Sequence, residues 1–122
     1  MYDPVVTLQR ISKTYSRAGT DVSVLRDLSF TIPAGTFLAI MGPSGSGKST
    51  LLNVMAGIDR PTSGSVVVAG TRLDDLSEGD MARWRARHIG YVFQSYNLIP
   101  VLTASENVEL PLLLTHLSRQ ER

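Results

Sequence analysis

A lysine, a serine and a threonine close a glycine-rich run, Gly42-Pro43-Ser44-Gly45-Ser46-Gly47-Lys48-Ser49-Thr50, whose chemistry is that of a polyphosphate holder. The run fits the pattern G-x-x-x-x-G-K-[ST] at every fixed position. Glycines at 42, 45 and 47 remove side chains that would block a close approach and allow backbone angles costly to other residues. Successive N–H groups can then line a concave nest for an anion, ending in the unpaired amides of a following helix. Lys48 supplies a mobile positive charge for the β- and γ-phosphates, and the Ser49 hydroxyl is placed to ligate Mg²⁺. Thr50 is placed either to hold the α-phosphate or to cap the turn. The bland alternative is a glycine-rich turn before an ordinary helix.

The flanking elements argue for the first reading. Residues 35–41, Gly-Thr-Phe-Leu-Ala-Ile-Met, have the apolar content of a strand, and residues 51–56, Leu-Leu-Asn-Val-Met-Ala, continue as a helix that ends near Gly57. Upstream, residues 5–11 and 22–32 read as strands separated by a polar stretch with a turn at Gly19, together a hairpin or small antiparallel sheet. Downstream, a turn at Pro61-Thr62-Ser63-Gly64 precedes a strand at 65–69 and a turn at Gly70. Ser77 with Asp80 caps a helix through Arg87, and residues 89–93 form the next apolar strand. Thr103 with Glu106 makes a capping box that starts a helix at Ala104, which Pro111 should bend or interrupt. Ser118 with Glu121 makes another box and the beginning of a further helix, so the chain reads as the N-terminal part of a larger domain.

Composition narrows the classes. With 122 residues, 43% hydrophobic and 19% charged, the chain is globular material large enough for one small core. Twelve basic against eleven acidic residues give net +1, so no nucleic-acid surface is expected. The absence of cysteine excludes disulfide and thiol chemistry within these residues. No apolar run reaches the length of a membrane span and no signal-like start is present, so a membrane role would come through a partner.

Taken together, these residues resemble the nucleotide-binding domain of ATP-binding cassette (ABC) transporters, in detail the lipoprotein-releasing and macrolide-export branch of ATPase subunits. The likeness runs through Leu25-Arg26-Asp27-Leu28-Ser29-Phe30, the phosphate loop, Gly57-Ile58-Asp59-Arg60-Pro61-Thr62-Ser63-Gly64 and Ile89-Gly90-Tyr91-Val92-Phe93-Gln94. Asn97-Leu98-Ile99-Pro100, Leu102-Thr103-Ala104 and Glu106-Asn107-Val108 extend it. The fold this implies is α/β: a P-loop NTPase core with a parallel sheet, plus an N-terminal antiparallel β lobe, cut off at the start of the helical subdomain. Residues 1–94 would form the β lobe and core, and 95–122 the segment after the glutamine and the start of that subdomain.

The resemblance also assigns roles. Tyr15 matches the aromatic that stacks on adenine, against a bland role in hairpin packing; a flat π-face suits any base. Gln94 matches the glutamine that reaches the Mg²⁺ and attacking water and relays motion to a transmembrane partner, which an amide oxygen can do without adding charge. The implied ligands are ATP and Mg²⁺. The implied partners are a transmembrane permease subunit or domain and a second nucleotide-binding domain, with the protein held at the inner face of the cell membrane. The intact protein would hydrolyse ATP to power export or lipoprotein release. The family's signature serine-glycine-glycine-glutamine segment, strand-ending aspartate, following glutamate and switch histidine do not occur in these residues, so this segment alone is expected to hydrolyse little or nothing. Residues 76–80, Leu-Ser-Glu-Gly-Asp, mimic the signature only superficially. His88 and His116 are poor switch candidates, and Arg83, Arg85 and Arg87 spread around a solvated helix. Competing readings are another P-loop enzyme such as a small kinase or GTPase, a cassette ATPase of DNA repair or translation, and a non-catalytic binding module.

Overall fold

The computed structural model describes residues 3–122. The chain divides into two compact units, one running to Ile89 and the other from Gly90 to Arg122.

In the first unit, β1 (Pro4–Arg17) and β2 (Thr20–Pro33) form a long antiparallel hairpin across a turn at Ala18 and Gly19. β3 (Ser63–Val68) pairs with the other edge of β1, and the two-residue β4 (Thr71–Arg72) pairs with β3. The sheet order is β2-β1-β3-β4, antiparallel throughout. Val6 and Leu8 of β1 are both buried, as strand alternation requires, but the next buried residue is Ile11, three positions on. A register shift between Leu8 and Ile11 accounts for the extra residue, with Arg10 at φ 52 and its N–H donating to Ser29 Oγ at 2.8 Å.

Helix α1 (Lys48–Met55) follows the glycine-rich run and stops at Ala56, after which Gly57 turns away at φ 65. Helix α2 (Glu78–His88) is capped by Ser77, whose Oγ accepts from the Asp80 N–H at 3.2 Å, as the sequence predicts. Leu51, Val54 and Met55 of α1, with Met81 and Trp84 of α2, join Val6, Leu8, Ile11, Leu25, Val66 and Val68 of the sheet and Leu73 in one core. His88 is the last residue of α2; its ring stacks on Trp84, with Nδ1 2.9 Å from the Trp84 carbonyl.

The expected parallel core sheet does not form. Among the described residues there is a single four-stranded antiparallel sheet, and residues 36–42 and 89–93 carry no ladder at all. The reason is physical. An apolar, β-branched run makes a segment willing to pair, but a strand exists only where a neighbour takes its amides and a surface takes its side chains. β1 and β2 meet across a short turn, whereas a parallel pair needs a partner brought by a crossover. Phe37, Met41 and Val92 are 99%, 88% and 96% exposed, and only Ile40 and Ile89 of these stretches pack against the core, too little to hold either in a sheet.

In the second unit, α3 (Ala104–Glu109) starts with a full capping box: Thr103 N–H donates to Glu106 Oε2 at 2.7 Å and Glu106 N–H to Thr103 Oγ1 at 3.3 Å. The helix gives way at Leu110 to a 3₁₀ turn, Leu110–Leu114, that contains Pro111, the interruption the proline dictates. Asn107 ties the preceding loop together, donating to the carbonyls of Ile99, Leu102 and Thr103 and accepting from Ile99 N–H at 2.8 Å. At Ser118 the expected box forms in part over a single turn, where Arg122 N–H also bonds the Ser118 carbonyl at 3.1 Å. Ser118 N–H and Oγ both donate to Glu121 Oε2, and Glu121 N–H returns to the Ser118 carbonyl at 3.1 Å.

Candidate functional site

The glycine-rich run forms an exposed loop that feeds directly into α1. Two of its glycines sit in the left-handed region, Gly45 at φ 79 and Gly47 at φ 92, and Ser46 N–H closes a turn on the Pro43 carbonyl at 3.2 Å. Gly47 is also sterically required: a Cβ there would stand 3.1 Å from Val24 Cγ1, the Val24 carbonyl and Leu25 Cδ2 of β2. Gly42 has an ordinary backbone but faces Ser46, whose Oγ would lie 2.8 Å from an added Cβ.

Gly47 caps α1 with no side-chain acceptor, the first turn holds no acidic residue, and the first helical bond runs from Leu51 N–H to the Gly47 carbonyl at 2.9 Å. The amides of Lys48, Ser49 and Thr50 therefore present the positive end of the helix. Lys48 lies back across the loop, its Nζ donating to the carbonyls of Gly42 and Pro43 at 2.9 and 2.7 Å and to Ser46 Oγ at 3.2 Å. Pro43, Ser44, Gly45 and Ser46 form the exposed tip, and Ser49 is exposed on the first turn of α1. Amides, a helix end and an ammonium group gathered in one exposed loop can neutralise several negative charges at once.

Tyr15 lies on β1, paired with Val22, and is 39% exposed. Its hydroxyl donates to Asp59 Oδ2 at 2.6 Å, and the Lys13 ammonium stands 4.8 Å from its ring centroid. The hydrogen bond to Asp59, with some burial, raises the Tyr15 pKa above 10.0, while the Thr50 side chain acts on the same hydroxyl in the opposite direction. Lys13 Nζ in turn donates to Asp59 Oδ1 at 2.6 Å and to the Arg60 carbonyl at 2.7 Å. Burial pushes the Asp59 pKa upward, but the hydrogen bonds from Lys13 and Tyr15, the Lys13 charge and the Arg60 N–H outweigh it, leaving the carboxyl below its usual 3.8.

The structure thus places the glycine-rich loop and Tyr15 in the first unit. Gln94 belongs to the second unit and is exposed, in a bend that follows residues 89–93. Sequence reasoning missed Lys13 and Asp59 as neighbours of Tyr15. No local spacing could have revealed them, because Asp59 is 44 residues from Tyr15 in the chain. Among the described residues no group of three or more His, Cys, Asp or Glu side chains could hold a metal, and no helix is long and apolar enough to cross a membrane.

A family model described as ABC transporter matches residues 25–122. The chain is similar to the lipoprotein-releasing system ATP-binding protein LolD of Alcanivorax borkumensis, 44% identical over 91% of this chain and 49% of that protein. It is similar to the macrolide export ATP-binding/permease protein MacB of Burkholderia pseudomallei, 42% identical over the whole chain and 19% of that protein. It also matches a solved dimeric structure of the ATP-binding cassette MJ0796 bound to ADP and Pi, in a post-hydrolysis state, at TM-score 0.88 and 43% identity, over 95% of this chain and 51% of that one. That cassette, from Methanocaldococcus jannaschii, is as similar as the export and lipoprotein-release proteins, so the likeness does not single out one branch. The chain spans about half the length of LolD and MJ0796. A glycine-rich loop that opens a helix, and a family match over most of the chain's length, lead to one conclusion: the chain belongs to the ABC transporter family.

Proposed function

We propose that this chain binds the triphosphate of ATP in the loop 42–50, and that the protein it belongs to hydrolyses ATP to drive an export or lipoprotein-release system. The observation that carries the reading is the loop itself: left-handed glycines at 45 and 47, first-turn amides with no side-chain cap, and Lys48 lying over the loop mouth. Of the three Lys48 hydrogen bonds, the one to Ser46 Oγ is the longest at 3.2 Å. It is the one a phosphate oxygen would take over, with the Gly42 and Pro43 carbonyls still holding the ammonium in place.

The donor set suits Mg²⁺. That ion keeps several waters and takes only one or two protein oxygens beside the substrate's phosphates, which one exposed hydroxyl on the first turn of α1 can supply. Ser49 would hold it from the protein side, and Thr50 would meet the α-phosphate. When bound, the cation neutralises charge developing on the β- and γ-phosphates. Tyr15 would offer its ring to adenine. Gln94 is assigned to the metal and the attacking water on the family resemblance alone.

The dimer described for MJ0796 supports a second copy as partner. The printed name of MacB, an ATP-binding/permease protein, supports a permease as the other partner, and through it attachment at the inner face of the membrane is inferred. In this reading residues 1–94 carry the β lobe and nucleotide core, and 95–122 begin the part that meets the permease.

Calorimetry of the full-length protein with MgATP tests the reading. Wild type should bind, and Lys48→Ala should lose at least about tenfold in affinity, as expected for losing a charge-assisted contact of about 1.5–3 kcal/mol. Wild type that takes up no MgATP, or K48A that binds as tightly as wild type, would overturn it.

A further inference from the structure

Asp59 occupies a crossroads. Its Oδ2 accepts from the Tyr15 hydroxyl at 2.6 Å, and its Oδ1 accepts from Lys13 Nζ at 2.6 Å and from the Arg60 N–H at 2.8 Å. Its own N–H donates to the Asn53 carbonyl of α1 at 3.2 Å, beside Ile58 N–H on the same carbonyl at 2.9 Å. The carboxylate is therefore fixed to the helix that begins in the phosphate loop. The same segment is tied to the hairpin by Thr62 N–H on the Ser12 carbonyl at 2.8 Å and Thr14 N–H on Thr62 Oγ1 at 2.9 Å.

Tyr15 is held at two points by this arrangement. Its hydroxyl is anchored on Asp59, and its ring carries the Lys13 ammonium over it, while Lys13 is itself 12% exposed and anchored on Asp59 and the Arg60 carbonyl. An exposed tyrosine on a two-stranded ribbon would otherwise sample several rotamers, and stacking would have to order it. A ring already fixed avoids that cost.

We propose that Asp59 is a positioning residue for nucleotide binding: by holding the Tyr15 hydroxyl and Lys13 together it sets the ring of Tyr15 as a platform for the base, in register with the phosphate loop. The inference rests on the reading of loop 42–50 and Tyr15 given above. Asp59 touches neither base nor phosphate in this role. Its effect should fall on the base and spare the phosphates.

The test measures affinity of the full-length protein for MgATP and for magnesium tripolyphosphate, which lacks the base. Tyr15→Phe removes only the hydroxyl and leaves the Lys13–Asp59 pair intact, so it carries the test should Asp59→Asn fold poorly. Each single variant should weaken MgATP binding by about fivefold, the effect of having to order one freed side chain. The double variant should lose no more than D59N alone, since the only bond that Y15F removes is one that Asp59 makes. Tripolyphosphate affinity should stay unchanged, or tighten in D59N as a nearby negative charge is removed. Y15F that binds MgATP like wild type, additive losses in the double variant, or equal losses for both probes would overturn the role of Asp59. The underlying reading fails differently: wild type that holds neither probe sinks the triphosphate loop, and Tyr15→Ala with undiminished MgATP affinity sinks the base platform.

Discussion

Replacing three glycines of one loop by alanine should give three different stability costs. At Gly45 the backbone is left-handed, φ 79, and an added Cβ meets nothing within 4 Å. Gly45→Ala should therefore cost only the conformational penalty, about 1–2 kcal/mol. At Gly47 the same penalty applies at φ 92, but the Cβ also lands 3.1 Å from Val24 Cγ1, Leu25 Cδ2 and the Val24 carbonyl. The two methyl groups can shift by a few tenths of an ångström; the carbonyl belongs to the backbone of β2 and yields less. Overpacking of this kind adds about 1–3 kcal/mol, so G47A should cost roughly 2–5 kcal/mol in all. At Gly42 the backbone is ordinary and the only close atoms belong to Ser46, with Oγ at 2.8 Å on a hydroxyl that can rotate away. Gly42→Ala should stay within about 0.5 kcal/mol of wild type in stability. It should leave MgATP binding close to wild type as well, because the Ser46 Oγ–Lys48 bond that it disturbs is the one a phosphate oxygen displaces. Urea unfolding of the full-length variants, read by tryptophan fluorescence, gives the ranking, and calorimetry gives the affinities. Equal destabilisation by G45A and G47A would refute the steric argument, and a G42A protein less stable than G47A would refute the geometry of the loop.

Other outcomes follow from local features. Thr103→Ala removes both hydroxyl bonds of the capping box and should cost the six-residue α3 about 1 kcal/mol, seen as faster amide exchange over residues 104–110 with the β1–β3 amides unchanged. For Asp59, the folded carboxyl titrates below its unfolded value near 3.8, so its contribution is complete above that pH and disappears as the pH falls through the lower folded value. Asp59→Asn should therefore flatten the acid limb of stability below about pH 4 in a circular dichroism titration of the full-length protein, and an unchanged limb would count against the ion pair with Lys13.

What the sequence made legible is what local chemistry decides. Ser77 with Asp80, Thr103 with Glu106, the stop at Gly57 and the break at Pro111 each follow from a hydrogen bond or a backbone angle within a few residues. The hairpin was legible over most of its length, at 5–11 and 22–32, but not where β1 runs on to Arg17 and β2 begins at Thr20. Thr14 to Arg17 pair with Thr20 to Ser23 although neither run has an apolar face, because ladder bonds need no hydrophobic alternation where both faces meet solvent. β4, two residues long, offers no period to read. The parallel core was misjudged for the opposite reason: residues 35–41 and 89–93 have strand-like side chains, but pairing is a property of two segments and cannot be read from one. The loop 42–50 was visible because its residue types and its spacing are dictated by backbone geometry. The link between Tyr15 and Asp59 was not, because only the pairing of β1 with β3 brings those two residues together.

From residue 14 to residue 23 the β1–β2 ribbon carries no buried side chain, and at its tip Ala18 already sits at φ 50 beside Gly19 at φ 80. That tip is an attachment point. A cysteine introduced at Ala18 would be the sole thiol of these residues, so a dye coupled there would meet no competing thiol among them. Sitting a few positions along the strand from Tyr15, such a reporter would sense what docks on the ribbon while leaving every contact of the core as it was.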